Sequence, residues 1–589
     1  MKKDLKLIWS LIGRYWWRYV LGLGSLLAVD WLISLMPQIP GLITDGLKEG
    51  TMDMDGVWRQ SLRFLALGGV VTLGRFGWRF FLFGSGRLVE RDLRNRMFGH
   101  LETLSARYFN SHKTGDLMAH FTNDLNSVRQ LVGMTVVTTF DATVMLIMVL
   151  VNMISFVSWK LTLIALIPMV LIIIGDIFFG KAMHRRFLAR QEAFSKLSDH
   201  AQESISGIRV IKAFVQEKRE QAAFALACGE AREKNLAVVR LMALVFPLLG
   251  LVIGVSILLT LIYGGWLAIT GELTAGQFVT FNTYIGMLVW PMIAAGECVS
   301  SVSQGLASLR RIRDILDQKP DIVDRGDPSI TALSGQIDVS GLTFTYPDSG
   351  ETPALRDVSV SVKAGETLAV IGRTGAGKTT LISLLERLWD TEKPDMIRMD
   401  GHDLRDIPLS VLRRDIAYVP QDNFLFSDTV ENNILFGVEN GTHEQAVEAA
   451  KTACVHDNIM DFPDGYDTLL GERGVTISGG QKQRVSIARA LMKDAPILIL
   501  DDSLSAVDTD TEEQILRSLR ENRKGRTTLI VAHRISTIQH ADHILVLEDG
   551  ARAEYGTHDE LMALQGLYYG IFQKQQLERQ LHEEGGEEA

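Results

Sequence analysis

Six apolar stretches long enough to cross a lipid bilayer lie in the first 300 residues, at roughly 19–43, 62–83, 131–157, 161–180, 242–266 and 277–299. A run of that length has few places to go except the membrane. Proline and glycine interrupt several of these runs, as membrane helices tolerate. The basic start, Met1-Lys2-Lys3-Asp4-Leu5-Lys6, precedes a long apolar segment with no small-residue cleavage site, so it reads as a membrane helix that stays attached rather than a signal peptide.

The composition changes abruptly near Arg310, and from there β-rich runs, glycine turns and amphipathic helices alternate as in a soluble α/β protein. The expected division is a membrane half over 1–310, a linker over 311–335, an α/β half over 336–575 and an acidic tail over 576–589 that reads as disordered. The formal charge of −10 is spread over both halves and nothing suggests nucleic acid. Cys228, Cys298 and Cys454 are isolated and lack metal-ligand spacing, which argues against a disulfide framework or a zinc site. The α/β half belongs in a reducing compartment.

Two long connections are strongly basic. One carries Arg87, Arg91, Arg94, Arg96, Arg107, Lys113 and Arg129, the other Lys181, Arg185, Arg186, Arg190, Lys196, Arg209, Lys212, Lys218 and Arg219. The other connections are short and mostly poor in positive charge, so the positive-inside rule places both long loops and both termini in the cytoplasm. Their amphipathic patterns over 87–104 and 182–214 continue the membrane helices outward, as levers would. Asp30, Asp141, Asp176 and Glu297 lie inside apolar runs, where each acid needs a partner or a watery cavity. The last three fall toward the cytoplasmic leaflet, either lining an inward-open cavity suited to amphipathic cations or bonding neighbouring helices and headgroups.

In the second half, Gly372-Arg373-Thr374-Gly375-Ala376-Gly377-Lys378-Thr379 follows the apolar run Leu368-Ala369-Val370-Ile371 and opens a helical segment over 380–388 that begins with Thr380. This is the strand, glycine loop and helix order of a phosphate cradle. Its backbone N–H groups close around phosphates, Lys378 reaches the β/γ-phosphates of ATP, and Thr379 offers a ligand to Mg²⁺ at the positive end of the helix. Ile497-Leu498-Ile499-Leu500-Asp501-Asp502 reads as a buried strand ending in a magnesium carboxylate, Asp501, and beside it the group that orients the attacking water, Asp502.

Between these motifs, Ile477-Ser478-Gly479-Gly480-Gln481-Lys482-Gln483-Arg484 resembles the signature of ATP-binding-cassette (ABC) proteins, and the order of membrane half then cassette resembles an ABC exporter half-transporter over nearly the whole chain. The resemblance implies a six-helix membrane domain followed by a P-loop cassette. Ser478, Gly479, Gly480 and Gln481 would then complete the ATP site of an opposing cassette in a head-to-tail dimer. Further matches are Tyr346 as the adenine-stacking aromatic, Gln421 as the glutamine at magnesium and the attacking water, and Asp508, in Ser505-Ala506-Val507-Asp508, in the loop between cassettes. His533 matches the switch histidine, Gly471-Glu472-Arg473-Gly474 the exporter-specific stretch, and 107–124 and 204–217 the coupling segments.

Asp502 departs from the family pattern, in which glutamate follows the magnesium aspartate. The resemblance is therefore closest to the degenerate-site subunit of bacterial heterodimeric multidrug exporters, embedded in the cell (inner) membrane with a glutamate-bearing partner. Such a pair would export hydrophobic or amphipathic compounds. The alternatives are a homodimeric lipid or lipid-A-type flippase, and an ATP-binding regulatory subunit that transports nothing.

Overall fold

In the N-terminal half, helix after helix outruns the bilayer. Trp159–Ser206 has 48 residues and Glu217–Ile269 has 53; at ~1.5 Å per residue the shorter extends about 72 Å, more than twice the ~30 Å hydrocarbon layer. The excess must project into water, as the amphipathic pattern of the long loops predicts. The computed structural model describes residues 2–586 except 348, 349, 351, 472, 473 and 475, and leaves out the side chains of 2–5, 172, 173, 176, 177, 181, 246, 249 and 578–586.

Among the described residues five helices are long and apolar enough to cross a membrane: Trp16–Lys48, Met54–Leu101, Thr114–Phe156, Glu217–Ile269 and Ala275–Leu316. They contain five of the six expected runs. The sixth, 161–180, sits in the helix Trp159–Ser206, whose described apolar part is Trp159–Leu171. The first span is broken after Leu35 and resumes at Gln38, because Pro37 cannot donate to the preceding turn.

The chain forms two compact units, 1–103 with 112–318, and 104–111 with 319–589. The first therefore extends to 318, where a linker was expected from 311. Within it the Asp45 carboxylate accepts from the Thr274 hydroxyl and the Gly276 N–H, each at 2.6 Å, fixing the start of Ala275–Leu316. Near the other end of that helix, Arg311 reaches both oxygens of Asp124, which also meets His120 Nδ1 at 2.6 Å. Asp30 is buried and adjoins Asp141, which accepts from the Trp290 indole at 3.4 Å. Glu297 is exposed, and the Asp176 side chain lies outside the described residues.

In the second unit two residues of the expected linker bond into the cassette: Asp327 N–H donates to the Asp406 carbonyl at 2.7 Å and Leu333 N–H to Asp415 at 2.8 Å. Ser105, from the first basic connection, donates to Asp321 in the same unit at 2.9 Å. Among the described residues the sheet has ten strands: β1 Ile337–Phe344, β2 Leu355–Val362, β3 Thr367–Gly372, β4 Ile397–Met399, β5 His402–Asp403, β6 Ile416–Val419, β7 Ile497–Asp501, β8 Thr527–Val531, β9 His543–Glu548 and β10 Ala551–Gly556. Their order is β5-β4-β1-β2-β10-β9-β3-β8-β7-β6. Strands β9, β3, β8, β7 and β6 run parallel. β7 and β8 are buried at every position, the mark of strands covered on both faces.

That register positions the chemistry. Val370 pairs with Val531, Val531 with Asp501, and Leu500 with Val419. The loops after β3, β6, β7 and β8 therefore leave one edge of the sheet together, the carboxyl edge where open α/β sheets bind ligands. The helix after β3 runs Lys378–Leu385, three residues short of the expected 388, and the left-handed Arg387 (φ +51°) prevents its continuation.

The expected acidic tail overlaps a helix. The helix Leu567–Gly586 runs through 576–586, as its Gln, Leu, Glu and Arg content favours, and 587–589 lie outside the described residues.

Candidate functional site

The loop 372–379 closes because Gly377 adopts φ +95° and leaves no room for a side chain: a Cβ there would stand 2.6 Å from Leu355 Cδ2 and 2.8 Å from the Ala354 carbonyl oxygen. Arg373, Thr374, Gly375 and Thr379 face solvent, Ala376, Lys378 and Thr380 are buried, and Gly372 ends β3. Lys378 Nζ folds back to donate to the carbonyls of Gly372, at 2.8 Å, and Arg373, at 3.0 Å. Burial pulls its ammonium below the usual lysine range, opposed by the charges of Asp502 and Asp501.

Asp501 is 1 % exposed at the end of β7 and its Oδ2 has no hydrogen-bond partner. Burial, reinforced by the adjacent Asp502 charge and opposed by Lys378, pushes its carboxyl up to about 6. An orphaned buried carboxylate oxygen and an exposed threonine hydroxyl at a helix start are oxygen donors of the kind Mg²⁺ takes, so these residues fit the ion. A pH consequence follows. To serve as a ligand for Mg²⁺ Asp501 would have to be ionised, so on that assignment Mg²⁺-dependent ATP affinity is expected to fall as pH drops through about 6, approaching tenfold per unit. An Asp501→Asn chain should lack that pH dependence; titration of nucleotide binding in Mg²⁺ from pH 7.5 to 5 in both proteins checks this, and parallel curves would exclude Asp501 as the group.

Asp502 has φ +46°, and its N–H donates to the Val531 carbonyl at 2.9 Å. Aspartate accepts this left-handed backbone more readily than most residues. Beside it a cavity of about 190 Å³ is lined by Asp502, Ser503, Glu512, His533 and Arg534 among others. Gln421 is exposed just beyond β6 and His533 just beyond β8, so the sheet brings Gln421, Asp501, Asp502, His533 and the phosphate loop to one edge. Tyr346 is packed rather than free-standing. Its hydroxyl donates to Thr380 Oγ1 at 3.1 Å and its ring meets Phe344 and Trp389 edge-on, each with centroids 5.0 Å apart.

The signature opens the helix Gly479–Leu491. Ser478 is the N-cap of Gly479–Leu491 in a full capping box: Gln481 N–H donates to its hydroxyl at 3.3 Å, and Ser478 N–H to the Gln481 side chain at 2.9 Å. Asp508 similarly caps Thr509–Asn522, and the backbone N–H of Thr511 holds its carboxyl below the usual range. Glu472 and Arg473 of the exporter-specific stretch lie outside the described residues.

Sequence reasoning missed several groups. Buried Gln483 joins the signature helix to the loop before Asp508, accepting from Ala506 N–H at 2.9 Å and donating to Ser505 Oγ at 3.3 Å. Glu512 holds Arg534 at 2.8 Å. Glu386, whose carboxyl burial pushes up to about 8, stands with Tyr418 near Asp501. Only Gln483 lay within a recognised motif; the others are assembled by the sheet.

Both halves of the chain match known proteins. Residues 19–292 match the ABC transporter transmembrane region and 355–505 the ABC transporter cassette. The chain is 41 % identical to the probable multidrug resistance ABC transporter ATP-binding/permease protein YheI of Bacillus subtilis, covering 96 % of each. It is also 41 % identical to the multidrug resistance-like ATP-binding protein MdlA of Escherichia coli, covering 97 % of each. The ATP-dependent lipid A-core flippase of Syntrophus aciditrophicus is 39 % identical over 85 % of this chain and 83 % of that protein. A solved bacterial Atm1-family ABC exporter with ATP bound superposes with a TM-score of 0.77 at 28 % identity, over 96 % of this chain and 99 % of that one. With transmembrane region and cassette on one polypeptide, the chain belongs to the ABC transporters of the exporter type, ATP-hydrolysing membrane transporters.

Proposed function

We propose that the chain is one half of a heterodimeric exporter of hydrophobic or amphipathic compounds, in which its own ATP site holds nucleotide more than it cleaves it. The observation that carries this reading is Asp502, one methylene shorter than glutamate beside an intact phosphate loop and an intact signature. Retracting the carboxylate by about 1 Å costs on the order of 10²-fold in rate, roughly 2.7 kcal/mol of barrier, because the attacking water is no longer held in line with the γ-phosphate. In this reading Lys378 and the loop amides bind the phosphates, Gln421 and His533 flank the γ-phosphate, and Tyr346 stacks on adenine by leaving its edge-on contacts. Mg²⁺, when bound by Thr379, Gln421 and Asp501, neutralises charge on the β- and γ-phosphates.

The membrane domain has six spans, with the N-terminus, coupling loops and cassette in the cytoplasm of a bacterial cell. At the tip of the second lever Ile205, Val210, Phe214 and Val215 are between 61 and 78 % exposed, an apolar end suited to being covered by a second half-transporter. Its multidrug-resistance relatives support export of apolar compounds. A second reading, a homodimeric lipid flippase, is supported by the lipid A-core flippase among its relatives.

The two separate on assembly. Purified alone, the chain is expected to bind Mg-ATP yet turn over at least tenfold more slowly than when co-purified with a glutamate-bearing partner. Steady-state hydrolysis and light scattering on the isolated chain in nanodiscs check it, and an isolated dimer as fast as the mixed complex would establish the homodimer.

A further inference from the structure

The C-terminal helix Leu567–Gly586 is fastened to the cassette at its start and again two turns later. At the start, the Glu554 carboxylate of β10 accepts the backbone N–H groups of Leu567 and Tyr568, the latter at 3.0 Å, and the fully buried Tyr568 brings its hydroxyl 2.8 Å from His558 Nδ1. Two turns on, the Gln575 amide makes a two-point contact with the loop after β8. Its Nε2 donates to the His533 carbonyl at 2.6 Å and its Oε1 accepts from Ile535 N–H at 2.9 Å.

Those two backbone groups flank Arg534, the residue that turns the chain from β8 into the short helix Ile535–Ile538. The Ile535 N–H is one of the donors that a helix start leaves without an intrahelical partner. A planar amide that satisfies it and the His533 carbonyl together fixes the peptide planes on both sides of the turn. His533 itself is exposed and so gets little orientation from packing.

We propose that Gln575 is a positioning residue for hydrolysis: by clamping the turn it sets where the His533 imidazole stands at the γ-phosphate, and so makes the C-terminal helix part of the ATPase machinery. It touches no nucleotide and acts only through His533. The inference rests on the reading of His533 as a member of this chain's ATP site.

The test is steady-state ATPase of the full chain in lipid nanodiscs, carrying Asp502→Glu so that turnover at this site is easily measured. Gln575→Ala is expected to lower kcat about tenfold with KM for ATP changed less than twofold, a smaller loss than the roughly 10²-fold of a full 1 Å misplacement. Gln575→Glu, which keeps the acceptor for Ile535 but sets a carboxylate against the His533 carbonyl, should do no better. In a His533→Ala background, Gln575→Ala should cost nothing more, since two residues acting through one group are not additive. Equal losses in both backgrounds would make Gln575 a general stabiliser and overturn the proposal, as would an inert Gln575→Ala beside an impaired His533→Ala. A silent His533→Ala would instead overturn the reading of the site.

Discussion

Replacing Asp502 by glutamate is expected to raise ATP hydrolysis by the isolated chain by roughly 10²-fold, equivalent to about 2.7 kcal/mol of barrier. Every other element of the edge is in place: the parallel register sets Asp501 beside Val531, the phosphate loop ends β3, and Gln421 and His533 leave the adjoining strands. On the reading proposed above, what is short is the reach of one carboxylate. The substitution carries an opposing effect, because position 502 sits at φ +46° and glutamate tolerates a left-handed backbone less well than aspartate, at a cost on the order of 1 kcal/mol. Thermal unfolding should therefore begin a few degrees earlier even as turnover rises. A destabilised Asp502→Glu chain with no gain in kcat would mean that aspartate is present for the backbone and that hydrolysis is limited elsewhere.

In the proposed complex with a glutamate-bearing partner, Ser478→Arg should nearly abolish ATPase activity, whereas Lys378→Ala should leave a measurable fraction. On the proposed heterodimer, the signature of this chain would complete the partner's competent site, while Lys378 would serve the site slowed by Asp502. Ser478 is exposed at the start of a 13-residue helix, so an arginine there does not disturb a core. It does remove the capping box, at about 1 kcal/mol. Ser478→Asp, which keeps a cap but turns a negative charge toward the partner's γ-phosphate, separates the two effects: it should fold as well as wild type and still be inactive. Lys378→Ala releases two loop carbonyls and empties the weaker site. The measurement is steady-state hydrolysis at saturating ATP with matched complex levels. A silent Lys378→Ala beside a largely active Ser478→Arg would reverse the assignment of the two sites.

The amino-acid sequence by itself determined what is written in local chemistry. Apolar runs reveal spans because lipid length is matched residue by residue, and five of the six appear among helices long enough to cross a membrane. The phosphate loop, the Asp501 strand and the signature are legible because each is a contiguous segment whose residues work together. Only the tertiary structure decided what depends on contacts between distant segments. Parallel pairing of β3, β8, β7 and β6 gathers Lys378, His533, Asp501 and Gln421 onto one edge. Burial by that same sheet is what raises the Asp501 carboxyl. The linker packs on the cassette because Asp415, 82 positions away from Leu333, accepts its N–H. Gln575 was invisible for the same reason. An isolated glutamine on a polar helix carries no signal, and it acquires one only when the fold, 42 positions back along the chain, sets the carbonyl of His533 against its amide.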